Sequence, residues 1–218
     1  MNKLKVNERK SLAQDAYNEI RHRIYRNEIK AGDLIKESNI AEELGISRTP
    51  VREAIKMLVS EDILEVRDGV GTFVKMLSFK DIKDIFEVRK ALETIAIKSS
   101  IYRIPLSKIN ELEEHLEAIM EEFEKGNLDK DKFSDIDMEV HKLIVDYCDN
   151  EYVKSIYSGM KLKIKQYQHV SYENLNNTKE SITQHLEILR LIKEKKLENL
   201  TKFLEEHIDW SLRCLLLP

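Results

Sequence analysis

The chain has 218 residues, of which 35% are charged, with only 6 Gly and 3 Pro, a composition that favours long helices and short connections. No stretch approaches the roughly 18 apolar residues of a membrane span, and the start, Met-Asn-Lys-Leu-Lys-Val, has no apolar signal core, so a cytoplasmic protein with no membrane role is expected. The net charge of −4, divided as +1 over the first 77 residues and −5 over the rest, excludes indiscriminate coating of nucleic acid but leaves room for a discrete DNA-reading surface.

Leu12, Ala16, Ile20 and Ile24 recur at helical spacing and predict a first helix over residues ~11–28, with Ser11 as its cap. Lys30-Ala31-Gly32-Asp33 breaks it, and Leu34-Ile35 forms a short extended piece. Ser38 can cap a second helix running to about Leu44, and Gly45 supplies the corner before a third helix ending near Asp62. For that third helix Ser47 is a suitable N-cap, and Pro50 falls in the first turn, where its missing N–H costs nothing. Arg48 and Arg52 then share one face, opposite a buried stripe of Val51, Ile55 and Leu58. Two β-like runs, Ile63–Val66 and Thr72–Lys75, flank Asp68-Gly69, a strong hairpin signal. Three short helices followed by a hairpin predict a winged helix-turn-helix over residues 1–76.

The run Ala41-Glu42-Glu43-Leu44-Gly45-Ile46-Ser47-Arg48-Thr49-Pro50-Val51-Arg52-Glu53-Ala54, with Gly69 and Gly71 in the wing, resembles the N-terminal domain of the GntR family of bacterial transcriptional regulators. The resemblance implies DNA contacts at Ser38, Ser47, Arg48, Thr49, Arg52, Asp68 and Gly69. Those residue types suit DNA recognition, with hydroxyls and amides for phosphates and arginine for guanine O6 and N7. Asp68 departs from this pattern, because an acidic wing tip repels phosphate, so the wing is expected to contribute through backbone amides.

Ser78 caps the next helix, and no strand signal follows. Helices are expected at about 79–102, 107–125, 130–149, 151–171, 178–196 and 198–216, with one substantial loop near Glu173–Asn177. Residues 77–218 therefore read as an all-α antiparallel helical bundle, and the whole chain as mainly α. Cys148 and Cys214 lie in apolar helical patterns and are expected to be buried free thiols. His22, His115 and His169 read as ordinary core histidines. Alternating lysines at Lys161, Lys163 and Lys165 read as a solvated face.

Asp137 and His141 are four apart on one helix, on a face that also carries Phe133, Val145 and Cys148. His185 shares its face with Ile182 and Leu189; His207 shares its face with Leu200, Phe203, Trp210 and Cys214. Three helices thus each direct ligand-type residues inward, which is how bundles build metal sites. The pattern is similar to the C-terminal FCD domain of FadR-like GntR regulators, in its shorter, six-helix, VanR-type form. Three nitrogens and one carboxylate suit a divalent transition metal such as Zn, Ni, Fe(II), Mn or Cu more than Ca or Mg. The resemblance further implies that open positions on the metal accept a small carboxylate effector. Arg89 falls in an inward stripe and needs an anion: that effector, or Glu93 four residues on.

These readings converge on an effector-responsive DNA-binding regulator, expected to repress, acting as a homodimer on a palindromic operator. A metal sensor is the first alternative. A metalloenzyme with a DNA-binding appendage is the second, disfavoured because no spare inward Glu or Asp is apparent as a general base.

Overall fold

The computed structural model describes residues 2–171 and 175–216, with side chains over 12–165 and 177–215. It divides into two compact units, Met1–Leu77 and Ser78–Pro218.

In the first unit, helix α1 spans Asn2–Tyr25, longer than expected at its N-terminal end. The Lys, Leu, Glu and Arg residues upstream of Ser11 are good helix formers, so Ser11 lies within the helix and not at its cap. Asn27, at φ 57°, turns the chain out of it. Strand β1 is Leu34–Ile35. Helix α2 is Glu37–Glu43 and begins one residue before Ser38, which therefore caps nothing; its hydroxyl bonds the Asn39 side-chain oxygen at 3.3 Å. Gly45, at φ 64°, makes the left-handed corner into α3, Arg48–Ser60. Ser47 occupies the N-cap position with extended backbone, but its side chain makes no capping bond. That correction leaves its hydroxyl available to another partner.

Strands β2 (Leu64–Arg67) and β3 (Gly71–Val74) form the wing, and β1 adds to β3 so that the sheet order is β1-β3-β2. Gly71, at φ 147°, lies close beneath β1: a Cβ there would sit 2.7 Å from the tip of the Leu34 side chain, Cδ1. Ala16, Ile20 and Ile24 are buried where α1 packs on α3, as are Val51, Ile55 and Leu58 of α3 and Leu64 and Val74 of the wing strands. The Tyr17 hydroxyl ties α1 to the end of α3 through Glu61 at 2.7 and 2.8 Å.

In the second unit the described residues form six helices: α4 Phe79–Ser100, α5 Leu106–Glu124, α6 Lys130–Asp146, α7 Glu151–Ser171, α8 Leu175–Lys193 and α9 Leu197–Leu216. Ser78 and Asp81 form a reciprocal capping box on α4. Asp129 caps α6 and the Asn150 side chain opens α7. Glu173 and Asn174, in the expected loop, lie outside the described residues, as does Tyr172. Leu175–Asn177 are already helical, so Thr178 is a full turn inside α8 and faces the core. Helix α4 packs against α6, α7 and α9. Cys148 is a buried free thiol and Cys214 a half-buried one.

Three expectations about single side chains fail here. His22 and His115 are exposed, and the His169 side chain lies outside the description. Lys165 is buried and paired with Asp135, and burial pulls its pKa down. The lysine alternation on α7 is therefore not one solvated face.

Candidate functional site

Helix α3 presents Arg48, Thr49 and Arg52 to solvent beside an exposed Ser47, and Asp68 and Gly69 stand exposed at the wing tip. Ser38 is also exposed, on α2. Glu37 is a residue the sequence did not single out. Its carboxylate receives Arg52 Nη2 at 2.8 Å and Nε at 3.1 Å, clamping α2 to α3. That bond lowers the Glu37 pKa and raises that of Arg52. The clamp fixes the direction of a long, otherwise mobile side chain, and it can be exchanged for a base edge. Arg48 takes part in no ion pair among the described residues. Arg48→Ala is accordingly expected to weaken operator binding roughly 5- to 150-fold, the cost of losing a bidentate base contact. Glu37→Gln is expected to weaken it less while relaxing sequence preference, and fluorescence anisotropy with operator and scrambled duplexes distinguishes the two effects.

In the second unit, His141 on α6, His185 on α8 and His207 on α9 come together, buried to 2% exposure or less. His141 Nε2 lies 3.1 Å from His185 Nε2 and 3.2 Å from His207 Nε2. The opposite ring nitrogens of two of them are held by acceptors. His141 Nδ1 donates to Glu93 Oε2 at 2.6 Å, and His207 Nδ1 donates to Gln184 Oε1 at 2.7 Å. With Nδ1 carrying the proton, each Nε2 turns a lone pair toward its neighbours. His185 Nδ1 lies 3.3 Å from the Ser181 hydroxyl. Burial drives the pKa of His141 and of His207 well below the ordinary 6.5, with Arg89 and the neighbouring histidines adding to it. His185 is lowered by burial too, with Asp137 opposing.

The lone pairs of His141 and His207 at this centre are satisfied either by an Nε2 proton on His185 or by a cation between the three rings. Bonds of about 2.0–2.1 Å to one ion, with the two nitrogen separations above, require angles of about 95–105° at it, within the range of transition-metal coordination. The three histidines therefore could hold a metal. Asp137 stands at the edge of this set. Its Oδ2 lies 3.4 Å from His185 Nε2 and accepts from the Ser181 hydroxyl at 3.2 Å, but it is outside the group whose ligand atoms all lie within 4.8 Å of one another.

Arg89 is 1% exposed, and both anion partners weighed for it remain relevant. Its Nε donates to Glu93 Oε1 at 2.8 Å, whereas its Nη2 is buried without a hydrogen bond. Burial opposes the charge on Arg89, but Glu93, Tyr157 and Asp137 together outweigh it and hold the pKa above its ordinary value. Burial raises the Glu93 pKa, and Arg89 pulls it back. Glu93 is an inward, fully buried carboxylate, but it is not a spare one: both oxygens are engaged, one by Arg89 and one by His141. Tyr157 is buried beside this pair, its pKa raised by burial and by the Glu93 charge, and its hydroxyl has no hydrogen bond of good geometry. Tyr152, five residues earlier on the same helix, is 83% exposed and takes no part in the site. Ser134 and Thr178 are buried with unpaired hydroxyls, each one turn before a residue of the site, Asp137 and Ser181 respectively.

Comparison with known proteins agrees with this architecture. Residues 12–74 match the gntR family of bacterial regulatory proteins, and residues 84–209 match the FCD domain. The chain is 30% identical over 191 residues to the gluconate operon transcriptional repressor of Bacillus subtilis (strain 168), covering 87% of this chain and 70% of that one. It is 21% identical to the transcriptional repressor RspR of Escherichia coli (strain K12), covering 94% of this chain and 89% of that one. Among solved structures, E. coli McbR/YncC shares the fold at a TM-score of 0.79 and 24% identity, over 94% of this chain and 97% of that one. These relatives are transcriptional regulators, not enzymes. The chain belongs to the GntR family of bacterial transcriptional regulators, with an FCD domain as its C-terminal unit.

Proposed function

We propose that this regulator is a repressor whose hold on a palindromic operator is released by a small organic acid bound beside a divalent transition metal in the FCD domain. The observation that carries the reading is the convergence of three buried Nε2 atoms next to an unpaired guanidinium nitrogen, Arg89 Nη2. His141, His185 and His207 would hold the ion, with Asp137 as a fourth ligand on the His185 side. The metal, when bound, supplies a Lewis-acid anchor for one carboxylate oxygen. Arg89 Nη2 offers a charged donor for the same carboxylate, while its Nε stays on Glu93. Ser134, Tyr157 and Thr178 offer hydroxyls, which suits an acid that itself carries hydroxyl groups. The repressor sign is supported by relatives named as repressors, and the hydroxy-acid class by the gluconate operon repressor among them.

In the first unit, Ser47, Arg48, Thr49 and Arg52 would enter the major groove, Ser38 would meet the phosphate backbone, and the wing would contribute Asp68 and Gly69 through their amides. Two half-sites give such a short recognition helix useful specificity, which favours a homodimer. Ligand binding acts by a population shift: it favours bundle packings in which the paired recognition helices no longer match the operator spacing.

The test is operator binding by the metal-loaded protein against a panel of small carboxylates, including sugar acids and their alcohols. At least one acid should weaken binding tenfold or more, and its alcohol should not. An affinity unchanged across the panel, but altered by metal alone, would replace this reading with metal sensing.

A further inference from the structure

The inward face of α4 carries Arg89 and Glu93, but its outward face is equally patterned. Val88, Ala91, Ile95 and Lys98 follow one another at alternating spacings of three and four, with Asp84 four residues before Val88 and Tyr102 just past the end of the helix, four after Lys98. That spacing makes a single stripe along a helix, and all six residues are exposed. Val88, Ile95 and Tyr102 are 44%, 47% and 64% accessible. One flank of the stripe is closed by α9, through Lys90 Nζ to Asp209 Oδ1 at 2.7 Å. On the other flank the Asp149 amide donates to Ser99 Oγ at 3.2 Å, bringing up the start of α7 with its exposed Tyr152 and Ile156. Val88, Ile95 and Tyr102 thus expose apolar area along one line, a concentration that marks an interaction surface.

The order of charges along the stripe identifies the partner. Asp84 and Lys98 lie seven residues either side of Ala91. A two-fold axis through Ala91 sets two α4 helices antiparallel and brings each Asp84 opposite Lys98 of the partner subunit. It also sets Val88 of one copy beside Ile95 of the partner subunit, with the small alanine at the crossing, where the helices must approach most closely. The face is thus complementary to itself under the one operation that builds a closed dimer. Lys98 has no ion pair among the described residues, and Asp84 has only its neighbour Lys80 one turn away, an exposed pair of little energetic weight.

We infer that α4 pairs antiparallel with the α4 of a second copy of this chain, in register on Ala91. The inference rests on the dimer reading above and adds the surface and its register. It also gives the ligand site a direct outlet, because Arg89 and Val88 are adjacent residues on one rigid helix.

Sedimentation equilibrium of the full chain tests it, using Asp84→Lys, Lys98→Asp and the double exchange. Each single exchange sets like charges opposite each other twice per dimer and should raise the dissociation constant about tenfold or more. The double exchange should return it to within about threefold of the parent. Single variants as tight as the parent, or a double variant as weak as the singles, would overturn the α4 pairing while leaving the dimer reading standing. A parent protein monomeric at all concentrations would overturn both. An Ala91→Cys variant provides a second test of register: mild oxidation should yield a reducible dimer, and its absence would rule out Ala91 at the axis.

Discussion

Arg89→Ala is expected to destabilise the C-terminal bundle by about 3–5 kcal/mol, the usual cost of stranding one member of a buried ion pair. Glu93 has no accessible surface, and of its two oxygens one rests on Arg89 and the other on His141. With the guanidinium gone, the carboxylate must take up a proton or remain charged in a sealed interior, and protonation would also weaken its bond to His141 Nδ1. Out of a total stability of order 5–15 kcal/mol, that is enough to populate unfolded protein near physiological temperature. Urea unfolding followed by circular dichroism measures it directly.

The control separates charge from volume. In Arg89→Met with Glu93→Gln the buried charges are removed together while most of the packing is kept, so much of the lost stability should return. Even so, the double variant should not regain its response to an organic acid, because Arg89 Nη2 is the donor assigned to the ligand. A loss below about 1 kcal/mol in Arg89→Ala would mean that water reaches Glu93 and that the cluster around it is not sealed.

The fold was largely readable from the chain because it depends on local signals. Asp68-Gly69, Gly45, the Ser78 capping box and the apolar stripes each act within a few residues. Readings erred where a local signal had a stronger competitor. Ser38 looks like a cap, yet α2 begins one residue earlier; Ser47 does stand at the N-cap of α3, but without a side-chain capping bond. The Asn residues before Thr178 look like a loop, yet they continue into α8. The histidines were legible as inward-facing because helical spacing places them beside Leu, Ile and Phe. Glu93 was not, because an i, i+4 arginine fully accounts for it on its own helix; its bond to His141 spans 48 residues. Glu37 escaped notice for the same reason, since its bond to Arg52 is a tertiary contact between α2 and α3.

Stripping the metal is the second large perturbation, and its effect should depend on pH with a definite sign. An ion present at a thousand times its dissociation constant adds about 4 kcal/mol to the folded state, so exhaustive chelation should lower the melting temperature by roughly 10 °C. In the metal-free protein His141, His185 and His207 have folded-state pKa values below the ordinary 6.5 they regain on unfolding. Below pH 6.5 the unfolded chain therefore binds more protons than the folded one. Metal-free stability should be insensitive to these groups above that pH and fall as the pH drops through the window beneath it. The slope reaches about 1.4 kcal/mol per pH unit for each histidine involved. Glu93, raised above its ordinary 4.5, works in the opposite sense, one group against three. The loaded protein should resist acid further, because the ion must be displaced before the histidines can charge. His207→Ala should shrink both the chelation step and the acid slope. A metal-free protein whose stability holds unchanged from pH 7.5 to 5 would show that the three imidazoles are not held neutral. The case for a cation at their centre would then lose its foundation.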